Sequence, residues 1–162
     1  MDRDSESVRE VLSRYVRATD SRDGAALARL FAPDGKVQMF YGRGQNAELV
    51  GELEGHEALA HAVGALMAPH PVGGWSHHTT HDAIVTVEGD RATIDAQYVV
   101  FNVQAAGRPK EGWPSTARGA QGTVTPIESG YYRAKLARID GAWKIATHRI
   151  EADLPFALPQ GA

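Results

Sequence analysis

The chain has 162 residues, 43% of them hydrophobic and 23% charged, a composition that suits one soluble globular domain over 1–162. A formal net charge of −3 excludes the basic footprint of a nucleic-acid binder, and no apolar run reaches the length that crosses a membrane. There is no cysteine, hence no disulfide framework, thiol nucleophile or thiolate metal site. With a polar start that lacks an apolar signal core, this points to a cytoplasmic protein.

Val8, Val11, Leu12, Tyr15, Val16 and Thr19 recur at helical spacing and predict a first helix from about Glu6, capped by Asp4 or Ser5. Asp20 falls at its end, where the helix dipole disfavours a carboxylate, and the chain alone reads it as a turn residue. Asp23 is the cap of a short second helix with Leu27, Leu30 and Phe31 inward, stopped by Pro33-Asp34-Gly35. Val37, Met39 and Tyr41 then alternate as one face of a strand over 36–41. A loop and a short extended piece near Leu49-Val50 lead into a third helix. Its stripe is Leu59, Ala62, Val63, Leu66 and Met67, with His56 and His61 on its wet side.

After the break Pro69-His70-Pro71-Val72-Gly73-Gly74, the stretch Trp75–Asp82 opens a strand that runs to Val87. A turn at 88–91 returns it as a long strand over 92–103, with Tyr98, Val100 and Asn102 on one face. Residues 104–128 read as an irregular, lid-like loop, and Trp113 is its candidate cover for a pocket. A second hairpin turns at Asp140-Gly141, with Tyr132, Ala134, Leu136, Trp143 and Ile145 alternating. The apolar, proline-rich tail 154–159 is expected to lie across the body or a partner subunit. Helices first and long antiparallel strands last define an α+β fold with helices on one face of a curved sheet. The uncovered sheet face and the tail predict a homodimer or homotrimer.

Trp75-Ser76-His77-His78-Thr79-Thr80-His81-Asp82 gathers three of the seven histidines. Neighbouring residues on a strand face opposite ways, so His77 and His78 do not share an ion, and no His-Glu-x-x-His or His-x-His spacing occurs. No metal is therefore expected. His77 and His81 read as rim or interface residues. Gly-x-Ser-x-Gly, phosphate loops and dinucleotide fingerprints are absent from the sequence.

Three segments together resemble the SnoaL-like branch of the NTF2-like superfamily. They are Tyr15 through Asp20-Ser-Arg-Asp23-Gly24 to Asp34-Gly35, then His77-His78-Thr-Thr-His81 to Ala92, and finally Tyr131-Tyr132-Arg133 to Asp140-Gly141-Ala-Trp143-Lys144-Ile145. The resemblance implies a cone-shaped α+β barrel whose helices and bent, mostly antiparallel sheet enclose an apolar pocket. Scytalone dehydratase, bile-acid dehydratases and hexachlorocyclohexane dehydrochlorinase in this group carry an Asp–His pair, which matches Asp20 and His78; Tyr15 matches a pocket tyrosine of the bile-acid enzymes. By that likeness His78 is the general base, Asp20 its orienter and Tyr15 the donor to a substrate oxygen. A histidine suits acid–base work near neutrality, and a carboxylate on its other nitrogen fixes the tautomer.

Strand direction adds Tyr41, Tyr98 and Asn102 as substrate contacts, with Trp113 from the loop and Arg149 or His148 from the last strand. The second acid of the dehydratases falls at Phe101 or Asn102, a departure from the pattern. The implied activity is a cofactor-independent dehydratase, other lyase or isomerase acting on a small apolar ring-type molecule, such as a polyketide, steroid or terpenoid. A cyclase, or a non-catalytic binding or interaction domain of the same fold, is the alternative.

Overall fold

Residues 3–157 are described by the computed structural model, and its elements follow the apolar periodicities with three informative exceptions. Helix α1 spans Arg3–Asp20 and buries Val8, Val11, Leu12, Tyr15, Val16, Thr19 and Asp20. Asp4 lies within its first turn, where it pairs with Arg138 at 2.8 Å and does not serve as the cap. Helix α2, Gly24–Ala28, is capped by Asp23, whose carboxylate accepts from the Ala26 N–H at 2.8 Å. Strand β1, Phe31–Tyr41, starts earlier than expected because Phe31 already pairs with Ile145; the chain bulges over 32–35 before the ladder resumes at Lys36. Strand β2, Glu48–Glu54, is a full strand where only a short extended piece is legible. Its polar edge positions and Gly51 mute the alternation. Helix α3, His56–His61, continues as a wider π-type turn over Ala62–Leu66.

The remaining strands are β3 (Gly74–Glu88), β4 (Arg91–Ala105), β5 (Gly122–Ile139) and β6 (Ala142–Ala152). The expected loop at 104–128 is therefore shorter: only 106–121 lies outside the ladder, and 122–128 pairs with β4. Asp140 and Gly141 both take positive φ, 50° and 79°, as a two-residue type I′ hairpin requires.

The strand order is β2-β1-β6-β5-β4-β3, antiparallel throughout except for the parallel β1–β6 pair. β2 and β3 end the order and do not pair with each other, so the curved sheet is open rather than a closed barrel. The helices pack on one face. The core between them and the sheet is built from the α1 stripe, Leu27, Phe31, Leu59 and the inward row Ile94, Ala96, Tyr98, Val100 of β4. Gly24 permits α2 to touch α3, because a Cβ there would stand 2.0 Å from the Ala60 carbonyl oxygen.

Three register slips decide which side chains face the helices. In β6, Thr147 pairs with Lys135 but Ile145 with Leu136, which leaves Ala146 as an extra residue. The inward set then changes from Trp143 and Ile145 to His148 and Ile150, as a one-residue slip must. In β5, Glu128 pairs with Val100 but Pro126 with Phe101, so Ile127 is extra. In β3 the slip falls between His81 and Ile84, at Asp82, whose φ is 53°.

The β6 slip turns His148 into the core. It is 0% exposed, sits 4.3 Å from the Tyr15 ring and 4.7 Å from the Tyr132 ring, and hydrogen-bonds through neither nitrogen to any described residue. Burial pushes its pKa down from 6.5 to about 3, so the folded chain holds it neutral. Between those values the unfolded chain binds a proton that the folded chain refuses. The associated stability is complete above pH 6.5 and is lost as pH falls towards 3.

Urea denaturation between pH 7 and 4 should show stability falling with a slope of up to about 1.4 kcal/mol per pH unit. His148→Phe should flatten that slope; an unchanged slope would exclude His148 as its source. Gly24→Ala should cost about 1–3 kcal/mol in the same assay at pH 7, because the new methyl meets backbone that cannot swing aside.

Candidate functional site

The inner face of the sheet and the helices leave a cavity of about 390 Å³. That volume lies within the range of small-molecule pockets. Its walls are mostly apolar: Leu27 from α2, Val37 and Met39 from β1, Val50 and Leu53 from β2, and Leu59, Val63, Leu66 and Met67 from α3 and its continuation. Ile150 closes one side and Phe156 of the tail another. The tail thus lies across the body over its described part; Leu158 and Pro159 lie outside the described residues. The polar side chains among its lining residues include Tyr15, Thr19, His78, Glu128 and Tyr132; Glu52 also borders it, but its carboxylate turns to Gln38 and Lys36 on the outer face.

Asp20 and His78 are brought together by the meeting of the α1 C-terminus with β3. His78 Nδ1 stands 2.6 Å from Asp20 Oδ1. The His78 backbone N–H donates to both carboxylate oxygens at 3.1 Å, and Ser76 Oγ donates to Oδ1 at 3.1 Å. Burial alone would raise the Asp20 pKa and is the largest single influence. The hydrogen bonds and charge of His78, with the Ser76 hydroxyl, outweigh it together and hold the carboxyl below its ordinary value of 3.8.

An ionised carboxylate only accepts, so Nδ1 must carry the proton of the neutral ring and Nε2 is left as the basic nitrogen. His78 lines the cavity, and its Nε2 has no hydrogen bond to a described residue. The last carbonyls of α1 are covered as well: His70 Nε2 donates to the Asp20 carbonyl at 2.6 Å and Arg22 to that of Thr19 at 2.8 Å.

Tyr15 lines the same cavity and is 6% exposed. Burial first, and the charge of Glu128 second, raise its pKa far above the usual tyrosine value, so its hydroxyl remains a proton-bearing donor. Tyr98 is buried behind the cavity, stacked on Tyr132 with centroids 4.1 Å apart, and donates its hydroxyl to Glu128 Oε1 at 2.7 Å. It therefore acts on the site through Glu128 and is not itself a wall.

The other expected contacts lie elsewhere, for definite reasons. Arg149 is outward because of the extra Ala146; it stacks over the Phe40 ring at 3.6 Å and donates to Glu151 Oε1 at 2.7 Å. Tyr41 continues the Val37–Met39 face past the end of the cavity and is 40% exposed. Asn102 has the inward parity of Val100 but lies beyond the helix cover and is exposed. Trp113 is 43% exposed in the 106–121 connection, no residue of which lines the cavity, so that connection does not cover it. His77 and His81 are exposed, and Asp82 accepts from Gln97 Nε2 at 3.0 Å, apart from the dyad.

Two site residues escape the sequence reading. Ser76 carries a usable signal, since it lies two residues before His78 and so shares its face. Glu128 carries none, because the slip at Ile127 decides its direction.

Helices on one face of an open, bent sheet around an apolar cavity make this an NTF2-like, cystatin-like fold, and solved structures agree. An NTF2-like protein with a cystatin-like fold from Novosphingobium aromaticivorans is 26% identical, with a TM-score of 0.64 over 91% of this chain and 80% of that one. The beta subunit of a candidate aromatic-ring-hydroxylating dioxygenase from the same organism is 19% identical, with a TM-score of 0.69 over 96% and 92%. A candidate dehydratase of the NTF2-like family from Streptomyces avermitilis is 16% identical, with a TM-score of 0.61 over 94% and 97%. The model of the SnoaL-like domain matches residues 3–149, and the chain belongs to that family. No curated protein matches it. Among the described residues no helix is long and apolar enough to cross a membrane.

Asp20→Asn should cost about 1.5–3 kcal/mol at pH 7, the worth of a hydrogen bond to a charged group. Because the folded pKa of Asp20 is depressed, this stabilisation is complete above 3.8 and lost as pH falls below it. The gap between wild type and variant in urea titrations should therefore close below that pH. A gap independent of pH would exclude the ionised carboxylate as its source.

Proposed function

We propose that this SnoaL-like protein is a cofactor-independent lyase or isomerase acting on a small, apolar, ring-type molecule by Asp20–His78 acid–base catalysis. The observation that carries the reading is the 2.6 Å contact from His78 Nδ1 to the buried Asp20 carboxylate, with the imidazole on the wall of an apolar cavity. In a dehydration, Nε2 takes a proton from the carbon beside a carbonyl. Tyr15 donates a hydrogen bond to the enolate oxygen as charge gathers there. The enolate reforms the carbonyl as the β C–O bond breaks, and the imidazolium returns its proton to the departing oxygen, which leaves as water. Asp20 stays ionised and steadies the imidazolium. In an isomerisation the same proton returns to a different carbon. A non-catalytic binding role for the same cavity is the second reading; the β4 residue beside His78 is Val100, so β4 supplies no acid next to the dyad, which favours it.

The test is a turnover screen of polycyclic β-hydroxy ketones with wild type, His78→Ala and Asp20→Asn. Each substitution should lower kcat/KM about 10²- to 10⁴-fold, the usual share of positioned acid–base groups. Undiminished turnover in either variant would sink the dyad, and ligand binding without turnover in the wild type would favour the second reading.

A further inference from the structure

The sheet places a second carboxylate opposite the dyad. His78 on β3 pairs with Val100 on β4, and Val100 pairs with Glu128 on β5, so the three residues form one row across three adjacent strands. Residues in one row share a face, and the two outer Cα atoms stand roughly 9–10 Å apart, twice the spacing of neighbouring strands. His78 and Glu128 both line the cavity, while the intervening Val100 is 3% exposed and leaves the space between them without a polar group of β4.

Glu128 is also fixed in place. Its Oε1 accepts the Tyr98 hydroxyl at 2.7 Å, and Tyr98 is 1% exposed and stacked on Tyr132, so the donor cannot swing away. Its other oxygen, Oε2, makes no hydrogen bond to a described residue, and no cation pairs with Glu128 among them. The nearby arginines of β5 and β6, Arg133 and Arg149, are engaged with Glu151 on the far face of the sheet. A carboxylate with one acceptor pinned and one available, in a mostly apolar cavity, is a demand on whatever fills that cavity. A ligand that presents a hydroxyl or an ammonium satisfies it. A ligand that presents a carboxylate meets a like charge where little water screens it.

We infer that Glu128, held by Tyr98, is the specificity-determining residue of the cavity: it selects ligands that direct a hydroxyl or protonated amine at β5 while their reacting carbon faces His78, and it rejects carboxylates. The inference rests on the reading that this cavity holds the substrate, and it adds the polarity of that substrate. It also supplies the polar group that Phe101 and Asn102 do not, from one strand further along the sheet. Tyr98 is then a positioning residue whose effect is exerted through the carboxylate.

Three naphthalene probes of near-equal size test it in calorimetric titrations of the full chain at pH 7: 2-naphthol, 2-naphthylmethylammonium and 2-naphthoate. Wild type should bind the alcohol and the ammonium at least tenfold more tightly than the carboxylate. Glu128→Gln keeps the shape and removes the charge, and should narrow the naphthol-to-naphthoate ratio by about tenfold. Tyr98→Phe, which leaves the carboxylate but unpins it, should narrow the ratio by a smaller factor and stands in if Glu128→Gln does not fold.

An unchanged ratio in the folded variants, equal binding of all three probes by wild type, or no binding of any at millimolar concentration would each overturn the proposal. The probe ratio is read from binding alone and needs no turnover. Loss of the catalytic reading in the turnover screen, with the probe ratio intact, is therefore distinguishable from failure of the selectivity proposal.

Discussion

The organising constraint is a carboxylate at the wrong end of a helix. The C-terminus of α1 carries partial negative charge, which disfavours an acidic side chain in the last turn. Asp20 is tolerated there because β3 meets it with three donors: the Ser76 hydroxyl, the His78 backbone N–H and the His78 ring. These bonds tie the helix end to the strand and fix the His78 tautomer together. A helix-to-sheet joint and the proposed base are the same set of atoms. Removing the carboxylate for one purpose removes it for the other.

The polar part of the cavity is organised by rows of the sheet and not by neighbours in the chain. Ser76 and His78 sit on one face of β3 at period two. His78, Val100 and Glu128 share a row across three strands. Tyr98, paired with Gly130, and Tyr132, paired with Ala96, come from successive inward rows; their rings stack diagonally at 8° between planes and back the carboxylate with an aromatic shelf. That shelf continues through Tyr15 to His148, which the fold keeps neutral by burial. The apolar remainder comes from α2, α3 and the β1–β2 pair, and it supplies volume without direction. Polar direction comes from His78, Glu128 and Tyr15.

Much of this is legible in the sequence, and what is not has a common cause. The helical stripe of α1 and the alternation of β3 and β4 make the fold class readable. Family resemblance singles out Asp20 and His78, because the order and spacing of those segments are fairly specific. The errors cluster at single extra residues. Ala146 sends Arg149 to the outer face and His148 into the core, although alternation from Trp143 and Ile145 points the other way. Ile127 turns Glu128 inward in a segment that reads as loop. A slip of one residue depends on pairing between distant strands and leaves no mark in local composition. Tyr41, Asn102 and Trp113 fail differently: their direction or character is readable, but the point at which the helices stop covering the sheet is not.

Phe156 gives the cavity a property that its other walls lack. Those walls belong to helices or to the hydrogen-bonded ladder, and moving one means breaking several bonds at once. Phe156 comes after the last strand and contributes its ring from a segment with no ladder of its own. Displacing it breaks no hydrogen bond of the ladder, so this wall is tied to the fold by side-chain contacts and not by strand pairing. If the cavity binds as proposed, a substitution at Phe156 would change entry to it while leaving the ladder intact.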